Sequence, residues 1–443
     1  MRFSTQLAAA SRLRGTGAVL AAAALLATAT AAAGPVSPAA AEPVAAPAAP
    51  AAARPDCSAA HRIEQTLDGG TTWRMCWRYD TDAGLVLDKV SYQPKSAAAP
   101  IRVLTSAKLA QIHVPYDDGK NEFDDLTGAG FGMGLQNLKP AECPGGTITP
   151  VRVADLGTVK GLCTTTRARG HAYRMANDQM TKVWQAQGKD LLVYTVNKVA
   201  WYEYITEWRF SSDGTIAANV GATGSLSPMD YNATDGRGWP IGTGARSYAT
   251  SHAHNVFWRL HFGLDGSPKD RVEQFDSTVT RPTGNGGPKV KTVRTPVTKE
   301  LAGDAKTMRW WRVVSQNGKN KDGHARSYEI VPGPSATHDG RGFTRHDIYF
   351  TQARACEQFA SNNIRDCGRG APDSVDKWVN GEPLVNPIAW VNIGFHHIAR
   401  DEDQQPMPVH WQGFQLAPRD VTAMNPLTPP ALANENGQPD QPR

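Results

Sequence analysis

Two of the chain's twelve histidines, His252 and His254, stand two residues apart in the run HAHNVFWRLHFGLDG (252–266). Residues i and i+2 of a strand project from one face, so both imidazoles point the same way, as a metal ion needs. Another pair, His396 and His397, sits near the end of AWVNIGFHHIAR (389–400), where alternation lets only one of the two face the same interior. Three imidazoles with an open position suit copper, zinc or iron. Taken alone, an HxH triplet also occurs by chance in core and surface strands. The stretch WYEYITEWRFSSDGTI (201–216) places Tyr202 and Tyr204 on one face of a further strand, with Trp201 and Glu203 on the other. On composition alone it is a strand with an aromatic face.

The elements that must position these residues read as mostly β. Short runs rich in Val, Ile, Tyr, Trp and Phe alternate with turn signals such as Ser211-Ser212-Asp213-Gly214 over residues 56–430, the pattern of a large antiparallel β-sandwich. Tyr173 to Gln187 is among the few stretches that could hold a helix turn or two, and no repeat of solenoid or propeller period occurs. With 40% hydrophobic residues among 443, the chain can bury one large core or two ordinary ones. The formal charge is +5. Arg2, Arg12 and Arg14 fall in the first 41 residues, which hold no acid, so the remainder is close to neutral and carries no nucleic-acid footprint.

Residues 1–41 read as a secretory signal, with a basic start, an apolar Ala/Leu run and a small-residue end. Residues 42–55 read as a stiff Pro/Ala-rich linker, and residues 431–443 as a disordered tail. A secreted protein without a membrane anchor is expected. The six cysteines agree with export, because they form three sequence-local couples: Cys57 with Cys76, Cys143 with Cys163, and Cys356 with Cys367. Six cysteines allow 15 connectivities, so the nearest-neighbour pairing is a preference.

These pieces together and in this order resemble the catalytic domain of the copper-containing amine oxidases, which make a quinone cofactor, topaquinone, from one of their own tyrosines. The resemblance puts the quinone on Tyr202, with Tyr204 as competitor; the downstream Trp208, Asp213 and Gly214 fix the register. It makes His252, His254 and His397 the Cu(II) ligands, the last in HHIARDEDQQPMP (396–408). Upstream, GLVLDKVSY (84–92) and HVPYDDGKNEFDD (113–125) are similar to the family's segments that precede its catalytic base. Asn121, Phe123 and Asp124 match the Asn-x-Phe-Asp motif, which makes Asp124 the base and Asp125 the alternative if the register shifts by one. Tyr116 matches the tyrosine that hydrogen-bonds the quinone, and the Cys143–Cys163 pairing matches a family disulfide.

The implied activity is oxidation of a primary amine to an aldehyde, with O₂ reduced to H₂O₂ and ammonia released, by a homodimer. An amine joined to the quinone has an acidified α-hydrogen, and a base shielded from water with a raised pKa is poised to remove it. Several residues depart from the family's pattern. Trp201 replaces the Asn before the quinone tyrosine, Ala200 a Gly, Lys198 a Thr, and Ala399 the Pro after the third histidine. His261 and Asn386 replace two aspartates of a secondary, oxygen-rich metal site, so no calcium-type site is expected. Glu122, two before the base, is read as a solvated loop charge or as an attraction for a cationic amine. Trp201 favours an alternative function, a catalytically silent secreted copper-binding sandwich of the same family.

Overall fold

The computed structural model describes residues 56–432, apart from 121–122, 178, 230, 232–235, 282–285, 306–307, 338–339 and 362–372. The expected signal, the linker, most of the tail, Asn121, Glu122 and Cys367 lie outside the described residues, as does the side chain of Asp124.

The chain weaves between two antiparallel sheets. Arg62–Thr66 (β1), Thr72–Asp80 (β2), Gly84–Gln93 (β3) and Ile101–Val114 (β4) form a meander, and Phe123–Asp125 (β5) folds back onto β4. Thr147–Val153 (β6), Gly157–Ala176 (β7), Val183–Val199 (β8), Tyr202–Ser211 (β9) and Ile216–Gly224 (β10) form a second meander in the other sheet. After a small ribbon of Gly238–Ile241 (β11) and Ser247–Thr250 (β12), His252–Phe262 (β13) joins the first sheet beside β4. Arg271–Val279 (β14) and Val290–Val297 (β15) join the second sheet, Leu301–Gly303 (β16) the first, and Arg309–Lys319 (β17) and Ala325–Pro332 (β18) the second. Ile348–Gln352 (β19) and Pro387–His397 (β20) complete the first sheet, and Met407–Arg419 (β21) the second.

The expected mainly-β sandwich is therefore observed, with the main core between the sheets. Trp258 of β13 meets Trp208 of β9 edge to face at 5.0 Å. The other face of β13 is covered too, because Phe257 packs with Phe343, Trp378 and Trp390 beneath the chain between β18 and β20. Burial on both faces explains why the middle of β13, Val256-Phe257-Trp258, is apolar without alternation.

One expectation fails. Tyr173–Gln187 is the end of the long β7–β8 hairpin, in which Arg174 pairs with Gln185 and Ala176 with Val183. Much of this arm is solvated, so the sequence lacks the period-2 burial signal of a strand, and cross-strand pairing decides its conformation. Two disulfides form as expected, Cys57–Cys76 and Cys143–Cys163. Cys356 is also disulfide-bonded.

Candidate metal and quinone site

Strand register brings the histidines together. His252 opens β13 directly across from His397 of β20. His252 and His254 share the face of Val256 and Trp258, which looks into the main core. His397 is in phase with the core residues Val391, Ile393 and Phe395, whereas His396 points outward and contacts Asp117 at 3.0 Å. Alternation thus selects one of the two adjacent histidines.

Tyr202 arrives from the opposite sheet. The turn Ala200-Trp201 joins β8 to β9, and Val199 pairs with Tyr202. Ala200 takes a left-handed φ of 50°, a conformation that favours glycine. On the other side, Gly224 pairs with Tyr202. A Cβ on Gly224 would fall 2.4 Å from the Trp201 carbonyl and 3.2 Å from the Tyr202 Cα, so only glycine lets the backbones approach this closely.

The Tyr202 phenol oxygen lies 2.8 Å from His252 Nε2 and 2.9 Å from His397 Nδ1. His254 completes the group. Its ring centroid is 4.9 Å from that of His252, its Nδ1 faces the Tyr204 hydroxyl at 3.4 Å, and its buried Nε2 has no partner. Burial, reinforced by His397, lowers the His252 pKa to about 3. Burial, then His252 and His397, holds His254 well below its ordinary value. Both imidazoles are therefore neutral at physiological pH, the form that binds a metal. Burial first, then Tyr204 and Tyr116, pushes the Tyr202 phenol well above 10.

Asp403 settles which nitrogen of His397 faces the phenol. The carboxylate lies 2.9 Å from His397 Nε2, and its other oxygen lies 3.3 Å from His410 Nε2. A carboxylate only accepts, so Nε2 of His397 carries the proton and Nδ1 turns its lone pair toward Tyr202. Burial would raise the Asp403 pKa, but the contacts with His397 and His410 and the bond from the Arg400 N–H outweigh it and hold the carboxyl at about 2. His397, Asp403 and His410 also form a close donor group, with ligand atoms within 4.8 Å of one another. Because the Asp403 oxygens already engage both imidazoles, we read the carboxylate as the outer partner that orients a ligating histidine. Sequence reasoning passed over Asp403 and His410. The one available signal was proximity, since Asp403 follows His397 by six residues within an acidic run.

The donor set fits copper. Two imidazole nitrogens converge on one oxygen, a third is an orphaned buried atom, and all three are nitrogen donors of a type that copper favours. Tyr116 borders the group, its ring stacked on His252 at 4.7 Å, and its hydroxyl accepts a hydrogen bond from Trp201 Nε1 at 3.1 Å. Asp125, the alternative base, is engaged elsewhere: it pairs with buried His113 at 3.0 Å. His113 lies across from Asn255, on the face of β13 opposite His252 and His254. Asp124 occupies β5.

Comparison with known proteins gives a consistent picture. The family model described as "Copper amine oxidase, enzyme domain" matches residues 71–431. The chain is 26% identical over 408 residues to primary amine oxidase 2 of Arabidopsis thaliana, covering 81% of this chain and 58% of that protein. It is 25% identical over 385 residues to a copper methylamine oxidase of Arthrobacter sp., covering 77% and 57%. It thus spans less than two thirds of the length of these relatives. A copper-containing benzylamine oxidase from Hansenula polymorpha has the same fold, with a TM-score of 0.70 at 23% identity over 83% of this chain and 61% of that one.

Proposed function

The chain belongs to the copper amine oxidase family through an enzyme domain spanning residues 71–431, and on that premise we propose that it oxidises a primary amine to an aldehyde, using copper and a quinone made from Tyr202. The net reaction consumes the amine, O₂ and water and yields the aldehyde, ammonia and H₂O₂. The observation that carries this reading is the Tyr202 oxygen lying between His252 Nε2 and His397 Nδ1, with His254 Nε2 unpartnered beside them.

In this proposal His252, His254 and His397 hold the copper, and Asp403 fixes the His397 tautomer. Copper and the quinone, when bound, supply an electrophilic carbonyl and a path for electrons to O₂. Asp124 takes the proton from the α-carbon of the amine, and the displacement of Asp125 to the other face of β13 supports the choice between the two. Tyr116 borders the reacting ring, with its hydroxyl oriented by the Trp201 indole. Burial of the phenol and imidazoles excludes bulk water, which strengthens each electrostatic contact. Export is supported by the two disulfides Cys57–Cys76 and Cys143–Cys163, which persist in oxidising compartments.

A second reading, a catalytically silent copper-holding relative, is favoured by Trp201, which places an indole next to the reacting tyrosine and ties up the Tyr116 hydroxyl. The test is reaction of aerobically copper-loaded protein with phenylhydrazine, followed by peptide mapping, with Tyr202→Phe as control. A coloured adduct on Tyr202, absent from the variant, is the expected result. Copper bound at full stoichiometry with Tyr202 unmodified would instead establish the silent relative.

A further inference from the structure

A second concentration of charge lies on the outer face of the first sheet, opposite the face that carries His252 and His254. A cleft of about 580 Å³ there is lined by Arg78, Lys89, Arg102, Arg259 and Arg354, with His261 beside them and, among the described residues, Asp88 as the one carboxylate in the lining. Strand register forces the crowding. Arg259 of β13 is directly across from Lys108 of β4, and in the next row His261, Ser106 and Asp88 face one another across β13, β4 and β3. Like charges directly opposite destabilise an antiparallel pair, yet Lys108 and Arg259 are only 5% and 7% exposed.

Aromatic faces offset part of the cost. The Lys108 ammonium stands 4.0 Å from the Phe359 ring centre, and the Arg259 guanidinium 5.5 Å from that of Trp390. Carboxylates offset less, because most nearby acids are engaged: Asp88 with Arg78 at 2.9 Å, Asp56 with Lys89 at 3.6 Å and Glu382 with Arg354 at 2.5 Å. Glu357 favours the charge on Arg259, and Asp80 and Asp82 favour that on Lys108. Among the described residues, Arg102 and Arg259 make no ion pair. Arg102 Nε donates to Ser91 Oγ and Arg259 Nε to the Glu357 carbonyl, each at 3.0 Å. Their terminal N–H groups have no hydrogen-bond acceptor among the described residues. Burial, with the neighbouring guanidinium adding to it, lowers Lys108 to about 7, and burial lowers Arg259 to about 10, the response of cations withdrawn from water.

We propose that this cleft binds a small oxyanion of the phosphate or sulfate type, free or as the charged end of a small molecule, with Arg102 and Arg259 as its principal ligands. Planar guanidinium forks match such oxygens in pairs. His261 adds to the positive lining, and its Nε2 lies 2.7 Å from Asn386 Oδ1, which holds the ring in place. The assignment is independent of amine oxidation.

The test is calorimetric titration of the copper-loaded protein at neutral pH and low ionic strength with inorganic phosphate, sulfate and glycerol 3-phosphate. One saturable site per chain is expected, with phosphate and sulfate competing for it. Tighter binding of glycerol 3-phosphate than of phosphate identifies a carried group as the better ligand; equal or weaker binding identifies the free ion. Arg102→Gln and Arg259→Gln should each weaken binding about tenfold or more, whereas Lys291→Gln, an exposed cation on β15 of the other sheet, should not. Arg102 is only half-buried, so its variant keeps the test decisive if Arg259→Gln misfolds. Absence of a saturable site, or an equal loss in all three variants, would overturn the proposal.

Discussion

Asp403 shows how a residue that touches no substrate governs a site. Its carboxylate holds the proton on His397 Nε2, so the lone pair of Nδ1 is available where the phenol and the metal would meet. Asp403→Asn introduces an amide that presents either an acceptor or a donor to that nitrogen. Copper affinity measured by chelator competition should fall about 10–100-fold. The two candidate bases should separate as sharply. Asp124→Asn should lower kcat by about 10²–10⁴ in steady-state amine oxidation. Asp125→Ala should leave kcat largely intact and cost about 1–3 kcal/mol in urea unfolding, since it removes the carboxylate that pairs with buried His113. His252 and His254 were legible in the sequence because strand periodicity puts residues two apart on one face, whereas periodicity left His396 and His397 open and the family resemblance chose His397. Asp403 was not, because a loop carboxylate has no period and only the folded chain shows which oxygen reaches which ring.

At the scale of the element, the β8–β9 hairpin sets the position of Tyr202. Ala200 holds a left-handed φ that an L-residue with a side chain adopts at a cost. Ala200→Gly should therefore stabilise the protein by about 1 kcal/mol, read from the urea midpoint at unchanged slope. The strands of the core were legible because their apolar residues are buried in register. The tip of the β7–β8 arm was not: it is largely solvated and takes its conformation from its partner strand. The crowding of Lys108 against Arg259 was equally hidden, since 151 residues separate them in sequence and only the pairing of β4 with β13 brings them together.

The crossing between sheets governs the molecule as a whole. Between β13 and β14 the chain passes from one sheet to the other, and Asp270 accepts the Leu264 N–H within that crossing at 3.0 Å. Burial raises the Asp270 pKa from 3.8 to about 7, against the opposing effect of that hydrogen bond. Between these two values the folded state keeps a proton that the unfolded state has lost. This contribution to stability therefore falls as pH rises through the window, and the full cost of the buried charge remains above it. Asp270→Asn removes the titration. The stability of the variant relative to the parent should grow between about pH 4 and about pH 8, by on the order of a few kcal/mol, in urea melts at each pH.

The pairing of His252 with His397 also has a temporal side. The two imidazoles face each other across adjacent strands, yet the second follows the first by 145 positions in the sequence. A nascent polypeptide stopped before residue 397 carries Tyr202 and the HxH pair without the third nitrogen. The three imidazoles can therefore converge only once β20 has been made and has paired with β13.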